Sequence, residues 1–168
     1  MSAKFAKTIR VMTIPPILVF TLLTVLLTNY DQFYGEIIDY ALAITFLMIV
    51  PALAYPIQML NPSWRAQGRA GQRKLAFIFS VCGYFIGLSI AIICRVKPTL
   101  LAIYIGYCTS VLLLTLFNKG FKIHASGHAA GVTGPLLYFA VFNNVWLVPV
   151  AVILYVAIIW SSVKMKRH

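Results

Sequence analysis

Residues 122–131, with the sequence KIHASGHAAG, place one lysine and two histidines between two strongly apolar stretches. Ser126 stands where a helix N-cap belongs, directly before the next apolar run. The backbone N–H groups of Gly127 and His128 would then be unpaired donors at the positive end of a helix dipole, an arrangement that binds anions. Gly127 also lets a ligand approach the backbone closely. The segment therefore predicts a phosphate-binding site.

Two lysines precede this site, and two alternatives to a phosphate site stay open. Lys119 and Lys122 add point charges suited to phosphate oxygens. In the first alternative, the serine is only a helix cap and the histidines are ordinary residues of the membrane interface. In the second, His124 and His128, which have the i, i+4 spacing of a zinc pair, bind a metal. A zinc site needs a third ligand that the neighbouring sequence does not offer, so we expect no metal.

The composition of the chain indicates the class of protein to which this segment belongs. Of the 168 residues, 61% are hydrophobic and 10% are charged, and the mean hydropathy is +0.91. This leaves too little polar surface for a water-soluble globule, so the sequence predicts an integral membrane protein. The net charge of +11 would suggest nucleic acid in a soluble protein. In a membrane protein, lipid headgroups or phosphorylated lipids are the favoured partners, and no nucleic acid is expected.

Six apolar stretches approach the roughly 20 residues that a helix needs to cross the hydrocarbon core. They are about 11–28, 37–60, 75–94, 99–117, 127–142 and 145–163. Pro51 and Pro56 are expected to kink the second. The predicted fold is all-α: a single transmembrane domain over residues 1–168, built as a polytopic bundle of six helices.

The charges of the loops orient this bundle. Six spans put both termini and two loops, about 61–74 and 118–126, on one side of the membrane. Of the fourteen basic residues, only Arg95 and Lys97 fall on the opposite side, together with the three acidic residues. The positive-inside rule makes the basic side cytoplasmic, and all three histidines lie there. On the other side, Asp39 opens the second span, where we expect it to cap the helix.

Ser126, Gly127 and His128 resemble the P-S-G-H element of the type 2 phosphatidic acid phosphatase superfamily, with Ala125 in place of proline. That family's third element, S-R-x5-H-x3-D, follows two spans later. Residues 161–168, with the sequence SSVKMKRH, fit its S-x-x5-H part, with serine in place of arginine. The resemblance covers a phosphatase-like core of about residues 118–168.

The family's first element, K-x6-R-P, is not present as written. The nearest substitute is a spaced set of cations in the loop after the second span: Arg65, Arg69, Arg73 and Lys74. If helical, this segment would present a basic stripe. The alternative is a solvated segment that faces lipid headgroups.

The resemblance implies a hydrolase that acts on a membrane lipid phosphate or a prenyl diphosphate without a metal or other cofactor. His168 would be the nucleophile and His128 the acid for the leaving oxygen. Lys122, Ser126 and the amide of Gly127 would hold phosphate oxygens. Further possible contacts are Lys119, His124, Ser161 and Arg167.

Two expectations limit this function. The three acidic residues lie on the opposite side, so no carboxylate fixes the tautomer of His168, and we expect slow or absent turnover. A non-catalytic protein that binds phospholipids, a small transporter or a scaffold is the alternative. Mid-span charges are absent, which disfavours an ion-coupled transporter.

Overall fold

The computed structural model describes residues 15–29 and 34–120, together with single positions at 138, 149, 152, 153 and 156. Within these residues every regular element is helical and no strand occurs. The predicted all-α class is therefore confirmed for the described part of the chain.

The helices follow one another with short connections. In chain order they are α1 Pro15–Asn29, α2 Ile37–Ile44, a π-helical turn Thr45–Ile49, α3 Val50–Ala52, α4 Ala54–Leu60, α5 Pro62–Ala66, α6 Gly68–Ile93, α7 Pro98–Thr115 and a second π-helical turn Leu116–Gly120.

Three stretches of helix are long and apolar enough to cross a membrane: Ile37–Leu60, Gly68–Ile93 and Pro98–Asn118. They confirm the helices predicted at 37–60, 75–94 and 99–117, although the middle one begins earlier, at Gly68. The shorter apolar helix Pro16–Thr28 coincides with most of the first predicted span. The predicted spans at 127–142 and 145–163 lie outside the described residues, apart from the single positions.

The first long stretch, which contains Pro51 and Pro56, is an irregular helix, and the irregularity begins before either proline. The backbone forms the π-helical turn Thr45–Ile49, and the α-helix breaks again at Leu53. The amide of Leu53 still donates to the carbonyl of Ile49 at 3.0 Å. A widened turn next to a proline is a known cause of irregular helices.

Helix α6 approaches the Ile37–Leu60 stretch closely at two glycines. A Cβ built on Gly83 would lie 2.7 Å from the carbonyl oxygen of Phe46. A Cβ built on Gly87 would lie 2.6 Å from Cβ of Phe46 and 2.9 Å from a ring carbon of Tyr104. Small residues let membrane helices bring their backbones together. These contacts belong to one compact unit, Leu23–Val111.

Asp39 caps the first turn of α2, as the sequence predicts. Its carboxylate accepts hydrogen bonds from the amides of Gly35 at 2.9 Å and Glu36 at 3.2 Å. The side chain is buried, and these amides would otherwise lack a helical partner. Its role is therefore structural.

The connection before α2 is fixed by aromatic residues. The hydroxyl of Tyr34 donates to the carbonyl of Leu23 at 2.8 Å, and its ring meets Tyr40 edge to face with centroids 5.6 Å apart. Burial raises the pKa of the Tyr34 phenol, so this hydroxyl keeps its proton and remains a donor.

Helix α6 ends at an arginine in a conformation that favours glycine. Arg95 has φ +53°, and its amide donates to the carbonyl of Ile92 while that of Val96 donates to Ala91. These two bonds form a Schellman motif, whose left-handed position glycine usually occupies.

Replacing Arg95 by glycine should therefore raise the free energy of unfolding. Relief of the left-handed strain, about 1–2 kcal/mol, exceeds the entropic cost of glycine in the unfolded chain, about 0.4–1 kcal/mol. Thermal unfolding of purified protein in detergent measures the change. Arg95→Ala removes the same charge but keeps the strain, so an equal gain from the alanine variant would contradict relief of strain as the cause.

Candidate functional site

Residues 59–74, which we call the elbow, connect the Ile37–Leu60 stretch to α6. The short helix α5 within it is capped by Asn61, whose side-chain oxygen accepts from the amide of Ser63 at 3.0 Å and from its hydroxyl at 2.7 Å. Pro62 occupies the first helical position, where its missing N–H is harmless. Gly68, with φ +56°, then turns the chain into α6.

Two contacts fix the start of α6, one from α4 and one from α5. The side-chain amide of Gln58, which is only 9% exposed, donates to the carbonyl of Gly68 at 2.8 Å. A Cβ on Gly71 would lie 2.8 Å from the carbonyl oxygen of Trp64 and equally close to Cβ of Gln67. The elbow is therefore a defined structure, since a buried amide and a close backbone contact fix both of its ends.

The four cations predicted as phosphate-binding all lie exposed on the elbow. Arg65 belongs to α5, whereas Arg69, Arg73 and Lys74 belong to the first turns of α6. The single helical stripe that the i, i+4 spacing suggests does not form, because the chain turns at Gly68. Only the last three share a helix.

Trp64 brings one of these cations against an aromatic surface. The ammonium nitrogen of Lys74 lies 5.8 Å from the centroid of the Trp64 ring, within the range of a cation–π contact. Tryptophan favours the depth of the lipid headgroups, where its ring meets both apolar and polar surroundings.

An open groove of about 420 Å³ runs along the elbow, lined by Met59, Leu60, Pro62, Arg65 and Ala66. The two large apolar side chains in it are unusually exposed, Met59 at 72% and Leu60 at 82%. The groove combines an apolar wall with one guanidinium group, which suits an amphiphile that carries a negative charge.

No acidic residue lies near the cations of the elbow in the sequence. Every acidic residue of the chain precedes Tyr40, and the capping carboxylate of Asp39 lies at the opposite end of the Ile37–Leu60 stretch. At 1.5 Å per residue, a helix of this length separates its ends by on the order of 30 Å. The elbow therefore carries positive charge with no nearby carboxylate in its own helices.

The remaining predicted site residues fall elsewhere. Lys119 belongs to the π-helical turn Leu116–Gly120. Lys122, His124, Ser126, Gly127, His128, Ser161, Arg167 and His168 lie outside the described residues. The approach of the two histidines to one phosphate therefore stays a prediction. Within the described ranges, no group of three histidine, cysteine or acidic side chains could hold a metal ion.

Gln58 and Trp64 were not among the predicted site residues, although the sequence contains features that indicate a role for each. Gln58 is a single amide in an apolar run, and a polar side chain in that setting needs a partner. Asn61 followed by Pro62 is a recognisable start of a helix, which places Trp64 on a new element. The hydrogen bond from Gln58 to Gly68 could not be predicted, because its acceptor lies beyond a turn.

Comparisons with protein-family models, with curated proteins and with solved structures find no match to this chain. A functional proposal therefore rests on its own residues: the histidine motifs of the sequence and the cationic elbow of the structure.

Proposed function

We propose that this protein is an integral membrane phosphatase that hydrolyses a lipid phosphate or an isoprenoid diphosphate through a phosphohistidine. The observation that carries the proposal is the pair of short motifs, S-G-H at 126–128 and S-x6-H at 161–168. Their order and separation resemble those of the type 2 phosphatidic acid phosphatases. Three helices long and apolar enough to cross a membrane support the setting that such a substrate requires.

The proposed topology has six spans and both termini in the cytoplasm. It is supported by the distribution of loop charges, because only Arg95 and Lys97 among the basic residues fall on the other side. The separation of opposite charges along the structure supports this orientation, because the cationic elbow and the acidic cap lie at opposite ends of one long helical stretch. The active face of the enzyme is then cytoplasmic.

In the first step, a ring nitrogen of His168 attacks phosphorus, so that a P–N bond forms and the P–O bond to the lipid breaks. His128 gives its proton to the departing lipid oxygen. Lys122, Ser126 and the amide of Gly127 hold the non-bridging oxygens, whose charge they stabilise in the transition state.

In the second step, a water molecule attacks phosphorus and the P–N bond breaks, which releases inorganic phosphate and restores His168. His128, now neutral, takes the proton from that water. Lys119, His124, Ser161 and Arg167 are candidates for further oxygen contacts. Arg65, Arg69, Arg73 and Lys74 are proposed to attract the anionic substrate to this face of the membrane.

Trapping of the intermediate tests this mechanism. Protein in detergent micelles is incubated with a radiolabelled lipid phosphate and quenched in base, which preserves a phosphohistidine. We expect label on wild-type protein and none on His168→Ala, with Ser89→Ala, an exposed position of α6, labelled as wild type. Equal labelling of the His168→Ala variant would contradict the proposal.

The elbow by itself favours a second candidate, a non-catalytic protein that binds phospholipids. Its cations and apolar groove can hold a lipid phosphate, and the described part of the elbow contains no histidine or acid that could catalyse hydrolysis. A transporter is less well supported, because residues 40–60, 75–93 and 98–118 contain no Asp, Glu, Lys, Arg or His.

A further inference from the structure

The elbow combines an apolar groove with a cluster of exposed cations. We infer that it is a binding site for one anionic phospholipid of the surrounding bilayer, whose phosphate contacts Arg65 and whose acyl chain lies along the groove. This inference does not depend on the phosphatase activity, because the lipid site includes none of the residues that carry out the proposed chemical steps.

The apolar half of the site lies at the end of a membrane-spanning stretch. Met59 and Leu60 are the last residues of α4 and are largely exposed, and Pro62 and Ala66 continue the groove along α5. Apolar side chains exposed on a helix of membrane length face the hydrocarbon core of the bilayer. At the end of a helix that crosses the bilayer, the neighbouring apolar material is an acyl chain.

The charged half of the site is next to this groove. Arg65 lines it directly, and its guanidinium offers the paired donors that match phosphate oxygens. Arg69, Arg73 and Lys74 add charge from the first turns of α6. Each cation near an anionic membrane surface strengthens its attraction to that surface by about fivefold in affinity, so an anionic headgroup is favoured over a zwitterionic one, whose own cation the elbow repels.

The site is preformed. Asn61 caps α5, Gln58 ties the end of α4 to Gly68, and α5 packs closely against α6 where Gly71 meets the Trp64 carbonyl. A site that is already ordered loses little conformational entropy when a lipid binds. Trp64 also places a fluorescent group beside the groove residue Arg65, which makes binding measurable.

Selective quenching tests the inference. The full chain, with Trp146→Phe and Trp160→Phe so that Trp64 is the only tryptophan, is placed in nanodiscs of phosphatidylcholine with a minor fraction of phosphatidylglycerol. Bromine quenchers are carried on the acyl chains of one lipid or of the other. We expect several-fold stronger quenching of Trp64 per mole of phosphatidylglycerol than per mole of phosphatidylcholine.

Substitutions assign the preference to the elbow. Arg65→Gln combined with Arg69→Gln should weaken the preference for phosphatidylglycerol severalfold, whereas Lys97→Gln, beyond the far end of α6, should leave the preference intact. Equal quenching by both lipids in the unsubstituted elbow would overturn the inference. Loss of the preference on adding sodium phosphate, but not on adding sodium chloride to the same ionic strength, would overturn it too, because the elbow would then recognise free phosphate.

Discussion

Replacing His128 by alanine is expected to lower the rate of phosphate release from a lipid phosphate, already slow because no carboxylate fixes the tautomer of His168, by about 10²–10⁴-fold, the usual contribution of a positioned acid or base. Without His128, no acid would protonate the departing lipid oxygen in the first step. No base would deprotonate the attacking water in the second step. Binding of substrate should change little, because the proposed phosphate contacts come from Lys122, Ser126 and Gly127. The loss should therefore be in kcat with KM nearly constant.

Phosphate release is measured with protein reconstituted into liposomes that contain phosphatidate or a prenyl diphosphate. Ser89→Ala, exposed on α6, is the matched control and should retain the wild-type rate. Recovery of intact, monodisperse protein from the membrane shows that the variant inserts. If turnover survives the loss of His128 in protein that inserts normally, His128 is not the acid and base of the reaction and the proposed mechanism is contradicted. If neither wild type nor variant releases phosphate, the protein binds phospholipid without hydrolysing it.

Adding one methyl group at Gly83 or Gly87 should destabilise the protein by about 1–3 kcal/mol, the range for overpacking. The new Cβ would lie 2.7 Å from the Phe46 carbonyl oxygen in the first case and 2.6 Å from Cβ of Phe46 in the second. Both distances are too short for carbon, so α6 must move away from the Ile37–Leu60 stretch. Ser89→Thr adds a methyl group at an exposed position of the same helix and should change stability little.

The two glycines differ in what can relieve the strain. Phe46→Gly removes the Cβ that Gly87→Ala would meet, so the two changes together should cost less than the sum of each alone. It leaves the carbonyl oxygen in place, and so should give Gly83→Ala no such relief. Thiol reactivity during heating measures unfolding: with Cys82 and Cys94 replaced by serine, the buried Cys108 reacts only as the protein opens. Equal relief for both glycines would contradict these two contacts with Phe46.

Several features of the fold were predictable because they depend on neighbours along the chain. The apolar run from residue 37 to 60 predicted a helix of membrane length. Asp39, at the start of that run, predicted a cap, and the two prolines predicted an irregular helix. The early start of α6 at Gly68 was not predictable from hydropathy, because Arg69, Arg73 and Lys74 lie in its first turns and make that part of the helix polar.

The candidate site, too, was predictable in part. The spacing of Arg65, Arg69 and Arg73 showed that cations gather after the second span, but a single helix was the simplest arrangement of that spacing. The left-handed backbone of Gly68 ends that arrangement and places Arg65 in a separate groove. Glycine is compatible with many conformations, so its identity did not reveal which one the surrounding contacts select.

The sequence by itself determined the helical class and the membrane-length stretches of the described residues, because an apolar chain without water must satisfy its backbone hydrogen bonds within helices. Only the tertiary structure decided that α5 folds against α6, that Lys74 meets Trp64, and that Gly83 and Gly87 lie against Phe46. Those contacts join residues on different elements, and their free energy depends on how closely whole helices approach one another.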